Sequence, residues 1–137
     1  MNNSEKLILD THVLIWYLEG INLKDQQVKL IEAAKLSNNL YLSAISIWEI
    51  AMLVSKEKII LSIPLKDWIE KLQEIGGLKI LDLSLAILIE SCNLPHYSHK
   101  DPVDRMIIAS AREIEAKLVT FDEKIKDYGT KGYLKIC

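Results

Sequence analysis

Residues 6–20, KLILDTHVLIWYLEG, decide the architecture of this chain. A short apolar run ends in Asp10, and Leu14, Ile15 and Leu18 then recur at helical spacing as far as Gly20. A strand running straight into a helix is the opening of a strand–helix–strand unit, and the pattern returns further along the chain.

Working outward, a second helix is predicted over 24–37, where Val28, Leu30, Ile31, Ala34 and Lys35 mix apolar and charged faces before SNN breaks the pattern. LYLS at 40–43 reads as a buried strand. From Ala44 to about Lys56 the apolar positions Ile45, Trp48 and Met52 interleave with Ile47, Ala51 and Val54, which predicts a helix buried on most sides. Pro64 opens PLKDWIEKLQEI, a helix closed by Gly76 and Gly77. LKILDL at 78–83 resumes strand character, and Ser84 starts the helix of SLAILIESC. NLPHYSHKDP is a loop, with Asp101 as cap and Pro102 as first residue of the helix PVDRMIIASAREIEA. KLVTF is a strand, DEKIKDYG a short helix, and GYLKIC a last strand. Strands alternating with helices predict an α/β fold, a three-layer α/β/α sandwich around a mainly parallel sheet of four or five strands.

At 137 residues, half of them hydrophobic, the chain suits a single domain spanning 1–137. The apolar stretch Leu7 to Leu18 is broken by Asp10 and His12, is too short to cross a bilayer, and has neither the basic leader nor the cleavage site of a signal peptide. Cys92 and Cys137 lack metal-type spacing. A soluble, reduced, cytoplasmic protein with no membrane partner is expected, their pairing staying open. The formal charge of −2 is no signature of a nucleic-acid binder, but without Asp10, Glu49, Asp104 and Asp122 the remainder carries +2, compatible with a mildly basic surface around an acidic pocket.

Those four acids occupy places where an apolar, regular chain does not need them. Asp10 and Asp122 leave strands at the carboxyl edge of the predicted sheet, where ligands bind in open parallel folds. Glu49 lies roughly 9 Å up the helix that follows Ser43, and Asp104 is in the first turn of its own helix. Singly, Asp10, Asp101 and Asp122 read as helix caps, Glu49 as one half of an ion pair with a nearby Lys or Arg such as Arg105, and Asp104 as paired with Arg105 at a helix start. Together they repel unless a cation joins them. Magnesium or manganese prefers such hard oxygen ligands, takes one or two carboxylates directly, and suits phosphodiester hydrolysis.

The stretches LILDTHVLIWYL, YLSAISIWEIAML, LPHYSHKDPVDRMIIASA and KLVTFDEKI, in that order and covering nearly the whole chain, resemble the PIN domain, and more closely the VapC-type toxins of toxin–antitoxin modules. The resemblance implies a PIN-like fold and a Mg2+- or Mn2+-dependent endoribonuclease with one or two ions, restrained by a cognate VapB-like antitoxin and forming a homodimer. It assigns Asp10, Glu49, Asp104 and Asp122 to the acidic quartet. Asp10 and Asp104 are expected to touch metal, with Glu49 and Asp122 joining directly or through water, or activating the nucleophile. Thr120 matches the small hydroxyl residue before the last acid, and Asp101 caps or assists. His12 stands where many relatives have a small polar residue.

Lys100 and Arg105 flank the cluster as candidate RNA-phosphate contacts, while His96 and His99 read as loop hydrogen-bonding or phosphate-contacting groups. Trp16 and Trp48 are at packing positions, and Trp68 is either core or part of a groove for an antitoxin helix. The rival reading is a non-catalytic α/β binding module whose acids are caps and ion pairs; under it the acids would not converge.

Overall fold

Alternation along three buried strand residues divides the interior in two. In β1 (Leu7–Leu9), Ile8 enters one hydrophobic cluster while Leu7 and Leu9 enter another, as the two-residue period of a strand covered on both faces requires. The computed structural model describes residues 5–137. β1 pairs in parallel with β2 (Leu40–Ser43) on one side and β4 (Lys117–Val119) on the other, and β3 (Leu78–Leu81) lies parallel to β2 at the edge. The order is β3-β2-β1-β4.

Helices α1 (Thr11–Glu19), α2 (Asp25–Leu36) and α4 (Leu65–Gln73) cover one face through Leu14, Ile31, Trp68 and Leu72. The other face carries α5 (Leu85–Cys92), α6 (Pro102–Ile114) and α7 (Glu123–Thr130) through Ile87, Ile107, Ile108, Ile125 and Tyr128. Helix α3 (Ala44–Ser55) reaches both clusters, with Ile50 in the first and Ile45 against the second. The expected α/β/α sandwich is therefore present with four parallel strands. No helix among the described residues is long and apolar enough to cross a membrane.

Three expectations need correction. GYLKIC does not form a fifth strand: only Ile136 bridges Leu118, because the backbone bonds from Leu118 N to Lys135 O (2.9 Å) and from Cys137 N to Leu118 O (3.1 Å) are not extended into a ladder. Helix α3 is not buried on most sides, since only Ser46 and Ile50 are fully enclosed. Trp48, placed in the core by spacing, is 56% exposed. Trp68 is core, and its indole N–H reaches Glu19 at 2.9 Å. The same carboxylate accepts from the backbone N–H and the hydroxyl of Ser62, both at 3.0 Å, tying the crossing between α3 and α4 to the end of α1. Cys92 and Cys137 are free thiols.

Candidate active site

With β2 and β4 on opposite sides of β1, the connections leaving β1 and β4 diverge at the carboxyl edge and open a crevice between them. Asp10 ends β1 and caps α1, accepting from Thr11 N at 2.8 Å. Asp122 follows β4 and caps α7, accepting from Lys124 N (2.8 Å) and Ile125 N (3.2 Å). Thr120 joins them: its hydroxyl donates to Asp10 Oδ2 at 2.6 Å and accepts from Asp122 N at 3.1 Å. A hydroxyl does both jobs at once, which accounts for Thr120 at this buried position.

Glu49 is set by the neighbouring pair. Ser43 ends β2 and caps α3 by accepting from Ile45 N at 3.2 Å. One turn before Glu49, the hydroxyl of Ser46 meets that of Thr11 at 2.8 Å, and both residues are completely buried. This contact fixes the first turns of α1 and α3 against each other. Asp101 caps α6 by accepting from Asp104 N at 3.0 Å, so the capping predicted for Asp10, Asp101 and Asp122 is real. It does not exhaust what these acids do.

Asp10, Glu49, Asp101, Asp104 and Asp122 all line one cleft of about 460 Å³, together with His12, Trp16, Phe121 and Lys124. Among the described residues, the ion pairs are Lys35–Glu32, Arg112–Glu90, Lys117–Glu5, Lys126–Glu123 and Lys131–Asp127, none of which involves a cleft acid. The alternative in which a nearby Lys or Arg such as Arg105 neutralises Glu49 is not found among these pairs. Arg105 instead donates to three backbone carbonyls and, like Lys100, is not among the residues lining the cleft.

The electrostatic consequence falls mainly on Asp104, whose carboxyl is pushed up to about 7, first by burial and then by the charges of Asp101, Asp10, Asp122 and Glu49. Burial raises Asp10 as well, opposed by the Thr120 and Thr11 hydrogen bonds. Glu49 is raised by burial and by Asp10 and Asp101, with Thr11 and His12 pulling the other way. Tyr97 is pushed up to about 12 by burial and then by Asp104 and Asp122, and its buried hydroxyl has no hydrogen-bond partner.

A hard divalent cation fits this donor set, which is all carboxylate, crowded and without an ion-pair partner. No three acidic, His or Cys side chains among the described residues close on a single point.

Sequence reasoning missed Lys124 and Phe121 and gave Trp16 only a packing role. Lys124 was legible as a first-turn residue two positions after a capping acid, which places it beside that acid. Trp16 packs on Phe121 at 5.4 Å between ring centres, and His12 lies 6.1 Å from Trp16, giving the cleft an aromatic wall. His96 and His99 lie outside the cleft, with His96 against Tyr133 at 5.3 Å and His99 against Tyr97 at 5.2 Å.

A protein of Mycobacterium tuberculosis named ribonuclease VapC22 is 29% identical to this chain over 124 residues, spanning 89% of this chain and 91% of its own length. Among solved structures, the DNA-bound VapBC of Salmonella typhimurium matches with a TM-score of 0.68 at 16% identity, over 97% of both chains. VapBC2 of Rickettsia felis, bound to a fragment of its promoter DNA, matches with a TM-score of 0.70 at 21% identity over 96% of both. The profile of the PIN domain matches residues 7–131, almost the whole described chain, so this protein belongs to the PIN domain family.

Proposed function

We propose that this protein is a Mg2+- or Mn2+-dependent endoribonuclease and the toxin of a toxin–antitoxin pair, acting on RNA in the cytoplasm. The observation that carries the proposal is the cleft lined by five carboxylates from distant parts of the chain, with no Lys or Arg paired to any of them among the described residues. The similarity to ribonuclease VapC22 supports the substrate class. Convergence of the acids disfavours the binding-module reading, since two of them, Glu49 and Asp104, have neither a capping role nor an ion-pair partner among the described residues.

Asp10 and Asp104 would hold the ion, with Glu49 and Asp122 joining directly or through water. When bound, the ion supplies a Lewis acid that polarises a phosphoryl oxygen and lowers the pKa of water. Thr120 keeps the Asp10 carboxylate turned toward the crevice. Glu49, whose proton affinity is raised by burial, is suited to take the proton of the attacking water. Lys124, exposed at the cleft wall, meets a backbone phosphate as a point charge.

Partners follow from the family and the surface. A VapB-like antitoxin covers the toxin, as the VapBC complexes of the structural relatives suggest. A homodimer accounts for the apolar side chains left exposed on α3 and α5, namely Trp48, Leu85, Leu88 and Ile89, and sedimentation velocity of the isolated protein reads it out.

The test is cleavage of a labelled RNA by antitoxin-free protein in EDTA, Mg2+ and Mn2+, alongside Asp10→Asn. Cleavage is expected only with metal, and Asp10→Asn is expected to lower it by about a hundredfold or more. Its melting temperature without metal should be unchanged or raised, because the amide removes a buried negative charge. Cleavage that persists undiminished in EDTA overturns the proposal.

A further inference from the structure

The nine residues 93–101 between α5 and α6 contain no regular structure, yet side chains from outside hold them at several points. Arg105 Nε donates to Ser91 O at 2.7 Å, and Nη1 donates to Tyr97 O at 3.1 Å and to His99 O at 2.7 Å. The guanidinium carbon lies 5.5 Å from the centre of the Tyr97 ring. From α7, the Tyr128 hydroxyl donates to Pro95 O at 2.6 Å. The segment ends at Asp101, whose carbonyl accepts from Arg105 N at 3.1 Å and whose carboxylate accepts from Asp104 N.

Arg105 adjoins Asp104 in sequence and is partly buried, but it makes no ion pair with any acid of the cleft. Its side-chain hydrogen bonds all go to neutral carbonyls. This arrangement does two things. It gathers carbonyls before and inside the loop onto one rigid fork, which fixes the angle at which the chain enters α6. It also keeps the cation nearest in sequence away from the carboxylates, leaving them available to another positive charge. A lysine at this position carries the charge but not the planar fork, and its compact ammonium favours water.

We infer that Arg105 is a positioning residue of the metal centre: by clamping Ser91, Tyr97 and His99 onto its guanidinium it sets Asp101 and Asp104 toward the cleft. The inference rests on the metal-dependent reading above and replaces the RNA-phosphate role that the sequence suggested for this arginine. Outer partners of this kind set metal affinity without touching the metal.

The test compares full-length wild type, Arg105→Lys and Tyr128→Phe. Mn2+ affinity is measured by titration calorimetry and by electron paramagnetic resonance of free Mn2+, affinity for a labelled single-stranded RNA in EDTA across salt concentrations, and exchange of the 93–101 amides by mass spectrometry. Arg105→Lys is expected to weaken Mn2+ binding about tenfold or more and to speed amide exchange in the loop, with RNA affinity and its salt slope unchanged. Tyr128→Phe, which loosens the same loop without altering charge, should weaken Mn2+ binding in the same direction by a smaller factor.

Unchanged Mn2+ affinity in folded Arg105→Lys overturns the inference alone. So does a fall in RNA affinity with intact Mn2+ binding, which makes the guanidinium of Arg105 a phosphate contact. Wild type that takes up no Mn2+ overturns the metal-dependent reading, and the inference falls with it.

Discussion

Thr120 shows how little covalent machinery the cleft requires. One hydroxyl spans the carboxylate that ends β1 and the backbone that begins the turn into α7, so Asp10 and Asp122 move together. Thr120→Val keeps the shape but leaves Asp10 Oδ2 and Asp122 N without this partner. Turnover is expected to fall about 10- to 100-fold, with Thr120→Ser close to wild type in the same metal-dependent cleavage assay. At this scale the sequence was most informative where a residue type was out of place. Asp10, Glu49, Asp104 and Asp122 were legible because carboxylates among apolar neighbours need a reason. Arg105 was not, because sequence shows a charge next to Asp104 but not the carbonyls that the loop turns toward it. Nor was the exposure of Trp48, since helical spacing reports a shared face and not what covers that face.

Among the elements, α3 and the terminal segment 132–137 depart furthest from their sequence patterns, for different reasons. An all-round apolar helix is read as enclosed, yet α3 sits where the sheet's two coverings meet and buries fully only Ser46 and Ile50. GYLKIC has strand composition but meets β4 only through Ile136. Strands β1, β2 and β4 send alternate residues into the two clusters, while β3, at the edge, leaves Lys79 and Ile80 exposed and is held by its ladder to β2. Connections impose conditions as strict as those of the elements. Gly77 adopts φ +86°, and a Cβ there lies 2.0 Å from the Lys35 carbonyl oxygen at the end of α2. Gly77→Ala is expected to destabilise by about 2 kcal/mol or more in urea unfolding, combining left-handed strain with a backbone clash. Gly76→Ala, with open space around it, should stay within about 0.5 kcal/mol.

For the molecule as a whole, collecting acids in one crevice couples stability to pH and to cations. The Asp104 carboxyl is raised from its ordinary 3.8 to about 7, so between those values the folded protein retains a proton that the unfolded chain has released. The metal-free fold therefore loses stability as pH rises through that window, and Asp10 and Glu49, also raised, add in the same sense. Solvent screening of the open cleft reduces the effect, so the melting temperature in EDTA is expected to drop by on the order of 5 °C. Asp104→Asn should flatten the dependence, and Mn2+ should restore more stability at pH 7 than at pH 5 while releasing protons as it binds. Calorimetric melts at stepped pH, with and without Mn2+, check both signs.

The Glu19 carboxylate, with its three donors from Ser62 and Trp68, has a consequence for how the molecule breaks. A proteolytic nick near Ile60, which is 93% exposed, leaves the upstream fragment rooted in the interior through Ile50 and the downstream one fastened at Ser62 and Trp68. The severed halves should elute as one particle in gel filtration and part only in denaturant, making this arm a natural joint for reassembling the protein from two separately expressed pieces.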